Sequence, residues 1–182
     1  KVYTRSVVGL HAPQVLVEVH LSQGLPALTI VGLPEASVRE SKDRVRSALI
    51  NSGYEFPNRR LTINLAPADL PKDGARLDLP IAMGILAASG QIDDRVLDEY
   101  EFVGELALNG DLRAITGALS VARAIKQTKS EGKTRTLITP TANADEAAKT
   151  GGLTVLAAQS LAAVCRHLDV ISGANNNQAD LL

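Results

Sequence analysis

Residues 14 to 21 alternate, with Val15, Val17, Val19 and Leu21 on one face and Leu16, Glu18 and His20 on the other, the period of a half-buried strand. Val2 to Val8 and Ala27 to Val31 read as neighbouring strands. Gly32-Leu33-Pro34-Glu35 then opens a helix: Pro is tolerated in a first turn because its missing N–H has no helical partner to lose, and an acid there suits the helix dipole. This helix is expected to run from Pro34 to about Ser52, burying Val38, Val45, Ala48 and Leu49, and to stop at Gly53. Arg39, Lys42 and Arg46 fall at i, i+3, i+7 on its outer side.

Leu61, Ile63 and Leu65 mark the next strand, and two prolines and a glycine make Ala66 to Gly74 an ordered turn. Leu77 to Ser89 is apolar almost all round, which predicts a central helix buried on most sides and ending at Gly90. Gln91 to Tyr100 reads as a loop and Glu101 to Leu108 as a strand, after which Asn109-Gly110 turns the chain into Leu112 to Ile115. Helix and strand then alternate over Ala118 to Lys129, Thr136 to Thr139, Ala142 to Lys149, Leu153 to Leu156 and Leu161 to Leu168. Residues 172–178 are small and polar with no apolar period, as in a linker, and Asp180-Leu181-Leu182 begins to turn apolar again.

Composition narrows the function. Aromatics are only 3% of the chain, so stacking platforms for single-stranded bases are scarce, and a net charge of -1 argues against coating nucleic acid through bulk charge. Any DNA contact has to be local. A single cysteine, Cys165, excludes an internal disulfide and any zinc motif built on paired cysteines, which fits a reducing cytoplasm. No apolar run reaches the roughly 20 residues of a membrane span, and the first residues have no signal-peptide layout. The start without Met suggests a fragment of a longer protein.

Candidate chemistry is sparse. Gly132-Lys133-Thr134 resembles the end of a phosphate-binding loop but lacks the first glycine and lies between a helix and a strand, the reverse of the required order, so it reads as a solvated turn. His11, His20 and His167 have no second ligand at metal spacing; His20 reads as a surface partner of Glu18, and His167 as a cation in a last helical turn. Cys165 shares helical spacing with Leu161, Val164 and Leu168 and reads as core. Asp93-Asp94 and Asp98-Glu99 read as loop charges. The best candidate nucleic-acid contact is the basic set Arg39, Lys42, Arg44, Arg46, Arg59 and Arg60. Its competitor is a salt-bridged surface or subunit interface, with pairs Glu35/Arg39 and Glu40/Arg44 at i, i+4.

Several phrases resemble the N-terminal domain of ComM-type, Mg-chelatase-like AAA+ ATPases. They are Val31-Gly32-Leu33-Pro34-Glu35 through Asp43-Arg44-Val45-Arg46, Ile50-Asn51-Ser52-Gly53-Tyr54, Asn64 through Gly74, and Gly104-Glu105-Leu106-Ala107-Leu108, within a resemblance covering residues 2 to 169 or so. That domain is similar to the peptidase domain of Lon proteases. The resemblance implies an α/β (α+β), Lon-protease-like βαβ fold with mixed sheets and packed helices over residues 1–171, and a polar linker over 172–182 toward an AAA+ motor. In Lon the nucleophilic serine stands two residues after a Lys-Asp-Gly turn; Lys72-Asp73-Gly74 matches, and the serine position holds Arg76. The position of the general-base lysine, counted from Gly104-Glu105, holds Leu119. A dyad needs a hydroxyl or thiol and an amine to take its proton, and neither replacement can serve.

The resemblance therefore implies a non-catalytic front module with no metal and no cofactor of its own. ATP and Mg²⁺ are expected in the motor domain of the parent. The partners implied are that motor, neighbouring subunits of a homo-hexamer, and branched or single-stranded DNA during natural transformation, with no membrane. Alternatives are a purely structural oligomerisation domain, a Lon-type peptidase, and a subunit for metal insertion into porphyrins.

Overall fold

The computed structural model describes residues 1–128 and 132–179, with side chains through residue 173. In chain order the elements are β1 (Val2–Arg5), β2 (Gln14–Ser22), β3 (Ala27–Val31), α1 (Ala36–Arg39), α2 (Ser41–Asn51), β4 (Arg60–Ala66), α3 (Asp78–Ala88), β5 (Tyr100–Phe102), β6 (Glu105–Leu106), β7 (Leu112–Arg113), α4 (Ala118–Gln127), β8 (Thr136–Pro140), α5 (Thr141–Ala148), β9 (Val155–Ala158) and α6 (Leu161–Ala179). Seven strands make one mixed sheet, ordered β3-β4-β2-β1-β5-β8-β9, while β6 and β7 form a separate hairpin. The fold is α/β, as the alternation of strand and helix patterns predicts.

The period-2 strands supply the sheet's buried face. β2 pairs antiparallel with β4, Val17 opposite Leu65 and Leu21 opposite Leu61, so the apolar sets of both strands point the same way. Against them lies α3, buried at every position from Asp78 to Leu86. Gly84 is what lets it approach: a Cβ there would stand 2.7 Å from Val19 Cγ2. The core on this face also takes Val45, Ala48 and Leu49 of α2 and Leu161, Val164, Cys165 and Leu168 of α6. A smaller core joins Leu137 to Val121, Ala122 and Ile125 of α4 and Ala147 of α5. Because Leu137 and Ile138 are adjacent on β8 and belong to different cores, the two cores occupy opposite faces of the sheet.

Between β1 and β5 the sheet contains a buried ion pair. Arg5 donates to Glu101 through Nε at 2.7 Å and Nη2 at 2.9 Å, and Gln14 adds a bond at 3.3 Å. A bidentate pair with further hydrogen bonds is the arrangement in which burial of both charges is tolerated.

Several boundaries depart from the sequence reading. The helix expected over 34–52 is two, α1 and α2, with Glu40 between them. The strand expected over 101–108 is broken after Phe102, because Gly104 N–H donates to Arg76 O at 3.0 Å instead of continuing the ladder. The loop expected over 91–100 contains a 3-10 helix, Asp94–Glu99, capped by the Asp93 carboxylate. Strands expected to reach Val8 and Ile115 end at Arg5 and Arg113, and the one expected over 153–156 is Val155–Ala158. Helical backbone in α6 continues to Ala179, across most of the segment read as linker; Lys129 and residues 180–182 lie outside the described residues. His167 is therefore not in a last turn: its Nε2 lies 3.0 Å from the Tyr100 hydroxyl.

Cys165 is fully buried and burial pushes its thiol up to about 11. In the native protein iodoacetamide should not modify it at neutral pH, and modification should follow unfolding in urea. A thiol that is harder to ionise when folded contributes stability fully below its unfolded pKa, lost as pH rises toward 11. Two pH units correspond to about 3 kcal/mol, so Cys165→Ala should flatten the loss of stability between about pH 9 and 11; parallel wild-type and variant profiles would contradict this burial.

Candidate functional site

The loop between β4 and α3 is ordered by a lysine with no access to solvent. Lys72 is 0% exposed, and its Nζ donates to Gly32 O at 2.6 Å and to Pro67 O, the residue that follows the cis Ala66–Pro67 bond. Its backbone continues the tie, Lys72 N to Leu33 O at 3.4 Å and Glu35 N to Lys72 O at 3.0 Å. The turn it grips is demanding: Gly32 has φ of 101°, a Cβ there would collide with the Leu65 carbonyl, and Leu33 has φ of 60°. Burial lowers the Lys72 ammonium below its ordinary value, against the opposing effect of Asp69.

Next in the loop, Asp73 Oδ1 accepts from Ser37 Oγ at 2.9 Å and from Gly74 N–H at 2.6 Å. Arg76, at the position that resembles the Lon nucleophile, donates through Nη1 to Thr116 O at 2.7 Å, and its buried Nε has no partner among the described residues. Leu119, at the position that resembles the base, is in the first turn of α4, where its N–H donates to Glu146 Oε1 at 3.1 Å. The fold thus brings Arg76 beside the Thr116–Gly117 turn that starts the helix carrying Leu119. Burial lowers the Arg76 guanidinium, but from so high a start that it remains a cation; it offers no nucleophile, and Leu119 no base.

The six candidate cations divide. Arg44 is committed to the fold: its Nε lies 2.7 Å from Asp78 Oδ2 and its Nη2 3.2 Å from Oδ1. The fully buried Asp78 also accepts from Ser41 Oγ at 2.5 Å and Leu106 N–H at 3.1 Å. The expected Glu40/Arg44 pair forms, at 3.7 Å, whereas Glu35/Arg39 does not close. Arg39, Lys42, Arg59 and Arg60 have no ion-pair partner among the described residues, and only Lys42 of these is not exposed. Arg46 is exposed and stands 5.2 Å from the centre of the Phe56 ring. Arg46 and Arg59 line one cavity of about 130 Å³ with Phe56, Asn58 and the start of β3.

The remaining candidates are placed simply. Gly132-Lys133-Thr134 is exposed and runs from α4 toward β8, which does not fit a phosphate loop. Glu18 accepts from Asn64 at 3.1 Å rather than pairing with His20. Asp93 is held well below the usual carboxylate range, first by Arg95 and then by Ser172. No three His, Cys, Asp or Glu side chains converge as a metal site among the described residues, and no helix is long and apolar enough to cross a membrane.

Sequence reasoning missed Asp78, whose signal was a lone carboxylate opening an otherwise apolar helix. It also missed the carbonyl cage of Lys72, the Phe56–Asn58 side of the cavity, and Glu146 as cap to α4. None of these three partners is near its target in sequence.

Residues 17–143 match the family described as subunit ChlI of Mg-chelatase. Over 168 residues the chain is 54% identical to the Escherichia coli protein YifB and 49% identical to the competence protein ComM of Haemophilus influenzae. Each match covers 92% of this chain and 32% of the relative, so the chain spans about a third of the length of these curated relatives. A Mycobacterium bovis protein is 35% identical over 161 residues, 88% of this chain and 31% of its own.

Removing one charge from a buried pair leaves the other uncompensated. Asp78→Asn should lower the unfolding free energy by about 3 kcal/mol, while Arg39→Gln on the exposed side should change it by less than about 0.5 kcal/mol. Urea titration of both variants checks this, and equal small effects would contradict the division of the cations.

Proposed function

The chain belongs to the family of Mg-chelatase subunit ChlI, and from that premise we propose that it is the non-catalytic front module of a ComM-type, ATP-driven DNA-processing motor. The observation that carries the reading is the 49% identity to a competence protein across 92% of the chain. In this reading the motor follows the module in the parent protein, binds ATP and Mg²⁺, assembles as a cytoplasmic hexamer and drives branch migration of DNA taken up in transformation. The module contributes to ring assembly and offers DNA the face carrying Arg39, Lys42, Arg46, Arg59 and Arg60.

Two features support a binding rather than a catalytic role. The side chains at the dyad-like positions, Arg76 and Leu119, have no nucleophile–base chemistry, and Arg76 is engaged with Thr116. The cations on the proposed face lack the carboxylate partners that would spend them on the fold, with Arg44 the exception. Arg44 also favours the second reading, a structural module for oligomerisation, since it shows that one member of the basic set serves packing.

The test uses the full-length protein. Arg39→Glu, Lys42→Glu and Arg46→Glu together should weaken binding to a branched DNA at least tenfold. They should also reduce the slope of log affinity against log salt by about 2 to 3, because each phosphate contact contributes about 0.9. Basal ATP hydrolysis should be unchanged. Unchanged affinity and salt slope would leave the structural reading.

A further inference from the structure

At the end of the sheet where β3 and β4 begin, three arginines gather from different parts of the chain. Arg46 comes from α2, Arg59 from the loop after it, and Arg60 opens β4, in register with Ala27 of β3 and Ser22 of β2. Arg46 and Arg59 line the cavity of about 130 Å³, whose floor and walls are Phe56, Pro57, Pro26 and Leu28, with the Asn58 amide between. Arg60 flanks it, its Nε passing 3.6 Å from where a Gly24 Cβ would stand. The carboxylate in this neighbourhood, Glu55, belongs to the adjoining cavity that Arg59 also borders, and forms no ion pair with it.

Resting on the DNA-contact reading above, we infer that this cavity is a seat for a single backbone phosphate of nucleic acid, and that it is the principal contact on the basic face. Stacking on Phe56 holds the Arg46 guanidinium in place while leaving its N–H edge free, so less freedom is lost when an anion arrives. Arg59 and Asn58 supply further donors from a second direction. The size selects the ligand: a cavity of about 130 Å³ lies well below the several hundred Å³ of sites that enclose a drug-sized molecule, so it accommodates a phosphate and not a nucleoside. With Phe56 already covered by Arg46, no ring is left for a base to stack on, and recognition is independent of base sequence.

The experiment compares two pairs of variants in the full-length protein, leaving Arg46 in place: Arg59→Gln with Arg60→Gln, and Arg39→Gln with Lys42→Gln. Affinity for a branched DNA is measured across a salt series, with two unrelated base sequences. The seat predicts that the Arg59/Arg60 pair loses at least tenfold in affinity and about 1 to 2 in salt slope, equally for both sequences, and that the Arg39/Lys42 pair loses about threefold or less. Circular dichroism and thermal midpoint should match wild type for both pairs. Wild-type binding by the Arg59/Arg60 pair with weakened binding by the Arg39/Lys42 pair would overturn the seat and leave the DNA-contact reading standing. Wild-type binding by both pairs and by the triple reversal would overturn both. A loss confined to one base sequence would replace the phosphate with a base contact and overturn the seat.

Discussion

A single buried ammonium organises the part of this molecule that most resembles a catalytic centre. Lys72 has no solvent access, and its Nζ is satisfied by two backbone carbonyls, one from the turn after β3 and one from the loop after β4. An ammonium buried without hydrogen bonds would cost several kcal/mol, so the carbonyls must be brought to it and held. That requirement draws Gly32, Leu33, Glu35 and Pro67 together around one side chain, and it explains why a left-handed leucine persists beside a glycine that has no room for a Cβ. The downstream part of the loop inherits its place: Asp73 is tied to α1 through Ser37, and Arg76 reaches across to Thr116.

A second buried charge extends the same logic into the helices. Asp78 opens α3 and gathers Arg44 and Ser41 of α2 with the backbone of β6. Lys72 and Asp78 flank Arg76, so the segment that could have carried a nucleophile is fixed at both ends by contacts that serve architecture. Arg44 carries the cost of this: it is the cation of the basic set that is withdrawn from the surface. What remains outward, from Arg39 to Arg60, is free of such obligations, and a DNA-binding role is assigned to it on that ground.

Much of the fold was legible because its signals are local. The alternation of β2 needs only its own residues, and the uniform apolarity of Leu77 to Ser89 marks a helix covered on most sides. Boundaries failed where a distant partner decides them. The strand after Tyr100 stops because Gly104 bonds to Arg76, 28 residues earlier in the chain. His167 could not be placed correctly without knowing that α6 runs on past Leu168. The six cations look alike in sequence, and nothing near Arg44 announces that Asp78 will claim it. The Lys72-Asp73-Gly74 turn was visible as a phrase, but the carbonyl cage depends on Gly32 and Pro67 meeting in space.

The central claim is that the Lys72 cage, and not local turn propensity, orders the loop from Ala66 to Arg76 and the turn after β3. Amide hydrogen exchange by NMR on Lys72→Met against wild type tests it most directly. The account predicts that the Glu35 amide and those of the loop lose protection at least tenfold more than the amides of Val17 and Ile63 at the centre of the sheet. Equal loss at all of these sites would mean that Lys72 contributes only to global stability, and unchanged protection in the loop would contradict the account outright.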